Sequence, residues 1–212
     1  MAVPGILIRL SDKPAVHALA TPSIETTYTL SAGDSETPSH AIIYFLSDIS
    51  SLINSNSLYE SDKASSESST PPSWIICKFI NGRDTTNPSG APKTNPHTLA
   101  TPPPLGSTIV MNGSTPRPDK ESDYHAWYDE EHGGKLALVP GWRGMRRYAL
   151  AKVYGEEVET ATFYGVNFYD EVNGLGGPEW KAGVTEWTHR IRQNAAKGNL
   201  RRVWRVEQVR EE

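Results

Sequence analysis

Apolar positions along the chain fall into short β-prone runs interleaved with stretches of helical spacing, and the order of the two is clearest in the second half. Thr108-Ile-Val-Met-Asn112 is a β-prone run, and Arg117-Pro-Asp-Lys then leads into a helical stretch ending near Leu138. Two further β-prone runs, residues 146–154 (RRYALAKVY) and 162–169 (TFYGVNFY), flank an acidic turn. Pro178 opens a second helix, because proline fits a first helical turn where its missing donor costs nothing. Trp180, Val184, Trp187, Ile191 and Ala195 then share one helical face, and Gly198 can end it. Residues 200–209 (LRRVWRVEQV) read as a last strand. The predicted order is β-α-β-β-α-β, the ferredoxin-like arrangement.

The same order recurs in the first half in reduced form. Residues 5–10 (GILIRL), 40–46 (HAIIYFL) and 74–80 (WIICKFI) read as strands, and residues 48–59 support a short helix through Ile49, Leu52 and Ile53. Where a long amphipathic helix would follow the first strand, residues 17–27 offer only a Thr-, Ser- and Pro-containing stretch. The pattern is a weak internal duplication whose first copy has lost a helix. Two such units would pack sheet against sheet, each covering a face the other leaves bare.

Two low-complexity segments divide the chain. Residues 61–73 (SDKASSESSTPPS) are Ser-rich and nearly free of apolar side chains, which predicts a surface loop. Residues 87–106 carry six prolines, which remove donors and disfavour helix, and read as a linker extended over the surface. The expected domains are a degenerate unit over 1–86, the linker over 87–106, and an intact unit over 107–212.

Composition narrows the function classes. With 212 residues, 37% hydrophobic, 22% charged and a formal charge of −4, the chain has enough material for a core and no basic excess that would call for nucleic acid. No apolar run approaches the roughly 20 residues of a membrane-spanning helix. The opening MAVPGILIRL turns polar too soon for a secretion signal, so the expected location is cytoplasmic. The single cysteine, Cys77, lies in WIICKFI and reads as a buried strand thiol. Gly174-Leu-Gly-Gly177 lacks the lysine and spacing of a phosphate loop and reads as a turn.

Candidate chemistry concentrates in Tyr124-His-Ala-Trp-Tyr-Asp-Glu-Glu-His132, followed by Gly133 and Gly134. On an α-helix Tyr124, Tyr128, His132 and Leu136 form one strip, with Trp127 and Glu131 on one flank and His125 and Asp129 on the other. Asp129, Glu130, Glu131 and His132 fan round the axis at about 100° steps, so no metal site is expected from them.

The segment from Asp123 to His132, with Leu136-Ala-Leu-Val-Pro-Gly-Trp142 after it, resembles the helix signature of the dimeric α+β barrel superfamily, in particular its EthD-like group common in fungal biosynthesis. The resemblance covers most of residues 108–209; relatives often have an apolar residue and proline where this chain has Gly133-Gly134, which could end the helix early. It implies an α+β fold: tandem ferredoxin-like units forming a pseudo-dimeric α+β barrel, with antiparallel sheets and helices on the outer faces. It also implies a cofactor-free enzyme of secondary metabolism acting as decarboxylase, cyclase or isomerase on a small hydrophobic, carbonyl-containing substrate. The alternatives are a non-catalytic, stress-responsive binding protein and a cofactor-independent oxygenase. Either a monomeric pseudo-dimer or a homodimer fits.

Within that reading His132 is the general acid or base, since imidazole exchanges protons near neutral pH without a metal. The alternative is a histidine tied to a backbone carbonyl at a helix end. Asp129 could orient His132; it could equally form an ordinary pair with His125. Asn167 and Asn112, amides within β-prone runs, could polarise a substrate carbonyl, or could face solvent at strand ends. Tyr124, Trp127 and Tyr128 form a core or pocket wall, Tyr148 and Tyr164 could face the same pocket, and Arg143, Arg146 and Arg147 could hold an anion.

Overall fold

The computed structural model describes residues 1–15, 19–66, 70–155 and 158–211. Eight strands close into one antiparallel barrel: β1 (Gly5–Ser11), β2 (Ile24–Ala32), β3 (His40–Leu46), β4 (Ser73–Asp84), β5 (Thr108–Ser114), β6 (Trp142–Tyr154), β7 (Phe163–Tyr169) and β8 (Leu200–Glu211). Their order round the barrel is β1-β3-β2-β8-β5-β7-β6-β4. Each half therefore reads fourth-first-third-second, β4-β1-β3-β2 and β8-β5-β7-β6, the order of a ferredoxin-like sheet. The two sheets meet at their edges, with Tyr28 opposite Val209 across β2 and β8, and Ile75 opposite Val153 across β4 and β6. Edge pairing leaves no unpaired strand edge, which two stacked open sheets would have done.

The sequence reading overlooked β2. Its first residues, 24–27, fall within the polar stretch 17–27 and the rest of the run has no reading, yet threonine is a good strand former and Tyr28 and Leu30 alternate into the barrel core. Between β1 and β2, where the reduced first copy was read as lacking a long helix, the described residues form none; residues 16–18 lie outside them. In its place α1 (Ser50–Asn54) and α2 (Ser57–Ser65) cover the outer face of the first half, over Leu7, Ile24, Tyr44 and Trp74.

Helix α2 corrects the loop reading of residues 61–73, at least to residue 65; residues 67–69 lie outside the described part. Asp62, which looked like loop polarity, is buried and accepts from Arg9 Nε at 2.8 Å and from Trp74 Nε1 at 2.8 Å. The Pro-rich segment also does more than connect. His97 and Leu99 insert into the barrel core, with His97 6.0 Å from Phe79 and 6.3 Å from Phe45, and Lys93 pairs with Gly82. Proline-rich chain without regular structure can still donate isolated side chains to a core, which composition alone does not register.

The barrel interior is lined by large buried side chains. Tyr28, Phe45, Tyr148, Phe168 and Trp204 fill it with Cys77 among them, so Cys77 is the buried strand thiol expected. A second apolar layer lies outside β5–β8, beneath a helical run made of a 3-10 turn (Pro118–Lys120), α3 (Glu121–Ala126), a π-helical turn (Trp127–His132) and α4 (Gly133–Leu136). Across from it stand α5 (Pro178–Ala182) and α6 (Glu186–Gln193), two short helices where one was expected. No helix among the described residues is long and apolar enough to cross a membrane.

Candidate active site

The segment singled out in the sequence is not plain α-helix. Over Trp127–His132 the helix widens to a π-turn, and the Gly133 N–H donates to the Tyr128 carbonyl five residues back. Such turns are rare and are frequent at functional sites. Residues five apart then lie over one another, and the His132 ring stacks on Trp127 with centroids 4.0 Å apart at 18°. Tyr128 meets the same imidazole edge-on at 5.2 Å. An α-helical wheel puts Trp127 on the flank of His132; the extra residue in the turn puts it underneath.

The glycines after His132 do not end the helix. A Cβ on Gly133 would meet Arg83 Nε and the Tyr128 carbonyl oxygen, each at 2.9 Å, so that position needs glycine for close approach. Arg83 reaches in from β4 and donates to the Asp129 carbonyl, engaging the backbone where the π-turn has loosened it.

Opposite the π-turn, the break between α5 and α6 supplies a free carbonyl. Thr185 caps α6 by accepting from the Thr188 N–H at 3.2 Å, and its hydroxyl donates to Glu131 Oε1 at 2.5 Å. Gly183, left just outside the cap, accepts from the Thr188 hydroxyl at 3.2 Å and from the His132 ring. Trp127 Nε1 donates to Thr188 Oγ1 at 3.3 Å, tying both walls together. His132 Nδ1 is shielded and has no partner among the described residues, and the Gly183 carbonyl is the polar group that acts on the ring. Burial pushes the imidazolium down to about 3, against a smaller upward pull from the Gly183 carbonyl, and the ring is neutral at pH 7.

His132, Trp127 and Tyr128 line a cavity of about 760 Å³ between the helices and the outer face of β5 and β8. Asn112 and Ser114 of β5 form its floor, with Trp180, Thr188 and Ile191 across from them. The volume suits a small molecule of two or three fused rings.

Other expected site residues are placed elsewhere. Asp129 turns away from His132: it accepts from Arg147 at 2.6 Å and from Asn81 at 3.3 Å. Arg147, itself buried, stacks over Tyr128 at 4.6 Å and also meets His125 Nδ1. Asp129 therefore does not orient His132, and neither does it pair with His125, whose Nε2 stands 3.7 Å from Glu121. Tyr148 and Tyr164, opposite each other on β6 and β7, point into the barrel core. β7 and residues 144–148 of β6 are buried on both faces, so alternation gave no means of choosing a side. Tyr124 is core under the helix, and Asn167 is sealed outside the cavity with both amide atoms unpartnered among the described residues. Arg143 and Arg146 are held by Asp170 and Asp84, which removes them, with Arg147, as anion holders. The residues that sequence reasoning missed are Thr188, Gly183 and Trp180. Their signal was the threonine interrupting an otherwise apolar helical face. Among the described residues no three His, Cys, Asp or Glu side chains converge as a metal site.

No family model and no curated protein matches the sequence. Solved structures match over the whole chain. An anthrone oxidase-like protein superposes with a TM-score of 0.64 at 13% identity, covering 100% of this chain and 94% of its own. A candidate monooxygenase from Fusobacterium nucleatum gives 0.60 at 8% identity, covering 100% and 95%. A candidate chlorite dismutase gives 0.53 at 13% identity, covering 98% and 96%. This chain has the dimeric α+β barrel fold. At these identities the likeness establishes that fold and nothing of the narrower EthD-like fungal group.

Proposed function

We propose that the chain is a small-molecule enzyme in which His132 moves a proton on a hydrophobic, carbonyl-containing substrate held in the 760 Å³ cavity. The observation that carries this reading is a neutral imidazole on the cavity wall, beside the Gly183 carbonyl, with Nδ1 left unpartnered among the described residues. A buried neutral imidazole is a weak base alone, and the charge of an enolate forming beside it favours the imidazolium at the moment it is needed. Asn112, on the floor, supplies a neutral donor for the developing oxyanion.

Proton removal from a carbon next to the carbonyl leaves its electron pair delocalised into that carbonyl. Reprotonation elsewhere, ring closure or loss of carbon dioxide are then open without a redox partner. A second reading starts from the same carbanion: reaction with dioxygen gives a hydroperoxide that loses water, so that a CH₂ group and O₂ become C=O and H₂O. The names of the anthrone oxidase-like and monooxygenase neighbours favour this second outcome.

Anthrone is a suitable probe, because its oxidation consumes one O₂ per quinone formed. An oxygen electrode and product absorbance separate the readings: uptake in step with product supports the oxygenase, and its absence leaves non-redox chemistry to be tested with β-keto acids. His132→Gln is expected to lower turnover by about 10²–10⁴-fold in either case. A folded His132→Gln protein with undiminished turnover would remove His132 from the mechanism.

A further inference from the structure

The rim of the cavity carries one sign of charge. Arg192 on α6, Lys197 on the turn after it and Arg201 on β8 all line it, and no aspartate or glutamate does. The whole chain has a formal charge of −4, so three cations round one hollow run against the overall balance. Nearby arginines are neutralised, Arg190 by Asp123, Arg202 by Asp34 and Arg205 by Glu171. Among the described residues Arg192, Lys197 and Arg201 form no ion pair, and all three are exposed.

Like charges gathered at one mouth repel each other and focus a positive field into it, which attracts an anion. Guanidinium groups satisfy their forked donors best on carboxylate or phosphate oxygens. Deeper in, Trp127, Trp180 and Ile191 offer aromatic and aliphatic surface that a charged head alone would not use. The cavity is thus graded from charged rim to apolar wall.

We propose that it takes an amphiphilic anion: an aromatic or acyl body lies against Trp127 and Trp180, and a carboxylate or phosphate is held at the rim by Arg192, Lys197 and Arg201. This rests on reading the cavity as the substrate site and is independent of proton transfer at His132.

Calorimetric titration of the whole chain with 2-naphthoate, 2-naphthyl phosphate and methyl 2-naphthoate tests it, since the three probes share a body and differ in the head. At least one anion is expected to bind about tenfold or more tightly than the neutral ester, with the advantage shrinking as salt rises from about 50 to 300 mM. The stronger anion identifies the head group. In Arg192→Gln/Arg201→Gln the advantage is expected to fall to about threefold or less with ester affinity unchanged; thermal unfolding checks that this variant folds. Should it not fold, Lys197→Gln carries the same expectation at a smaller factor. Equal affinities for ester and anions, no binding of any probe at millimolar concentration, or an anion preference that survives these substitutions would overturn the proposal. His132→Gln is expected to keep the anion preference whatever its turnover, which separates this inference from the catalytic one.

Discussion

At the scale of single residues, the environment of His132 is shaped by the glycine that follows it. Gly133 and Gly134 are adjacent helical residues with opposite constraints: a Cβ at 133 runs into Arg83 and the Tyr128 carbonyl, whereas nothing lies within 4 Å of a Cβ at 134. Gly134→Ala is expected to stabilise the protein by about 0.5–1 kcal/mol through helix propensity and a less flexible unfolded chain. Gly133→Ala is expected to cost about 1–3 kcal/mol despite the same propensity gain, because Arg83 must give way. Urea unfolding of both variants measures this; changes of the same sign would refute the close approach. The aromatic motif singles out His132, and the structure places that residue on the wall of a cavity. The role given to Asp129 did not survive, because the salt bridge to Arg147, from a strand 18 residues further on, has no trace in local spacing.

At the scale of elements, helix α2 shows how a low-complexity stretch is recruited into structure. Its hydrophobic face is poor, and it is held by the buried contacts of Asp62 with Arg9 on β1 and Trp74 on β4. Removing one partner of such a pair leaves a buried charge alone. Asp62→Ala is therefore expected to cost about 3–5 kcal/mol, while Arg9→Met/Asp62→Leu, which removes both charges, is expected to recover most of that loss. Chemical denaturation reports both, and hydrogen exchange in α2 reports whether the loss is local. An Asp62→Ala protein as stable as the parent would show the tie to be dispensable. Strand order was readable from periodicity in the second half, where alternation and helix signals agree. The π-turn and the break at Gly183 were not, because each depends on hydrogen bonds supplied by another element.

For the molecule as a whole, three histidines among the described residues take up protons less readily folded than free: His125, lowered by burial and by Arg147, and the more deeply affected His97 and His132. Burial pushes His97, which plugs the barrel, down to about 4, and His132 down to about 3, against 6.5 for a free imidazole. Between pH 6.5 and 4 the unfolded chain takes up protons that the folded chain refuses, so stability falls as pH is lowered through that window. The slope is expected to reach about 1.4 kcal/mol per pH unit for each histidine. Glu25, whose carboxyl is raised by burial, opposes this weakly; Asp34, Asp48, Asp84 and Asp123 have lowered carboxyls and act in the same direction from the acid end of the histidine window downward. Unfolding midpoints at pH 7 and 5 should differ less in His97→Gln than in the parent. An unchanged difference would place the proton uptake elsewhere.

What the sequence determined by itself is the alternation of strand and helix, the duplication, and the aromatic helix bearing His132, because these follow from periodicity within one segment. Only the tertiary structure decided that two sheets join edge to edge, that a proline-rich segment plugs the barrel, and which strand faces meet a cavity. Those outcomes rest on pairings between residues far apart in the chain, and an apolar residue with apolar surroundings on both sides of its strand carries no local sign of which side it will face.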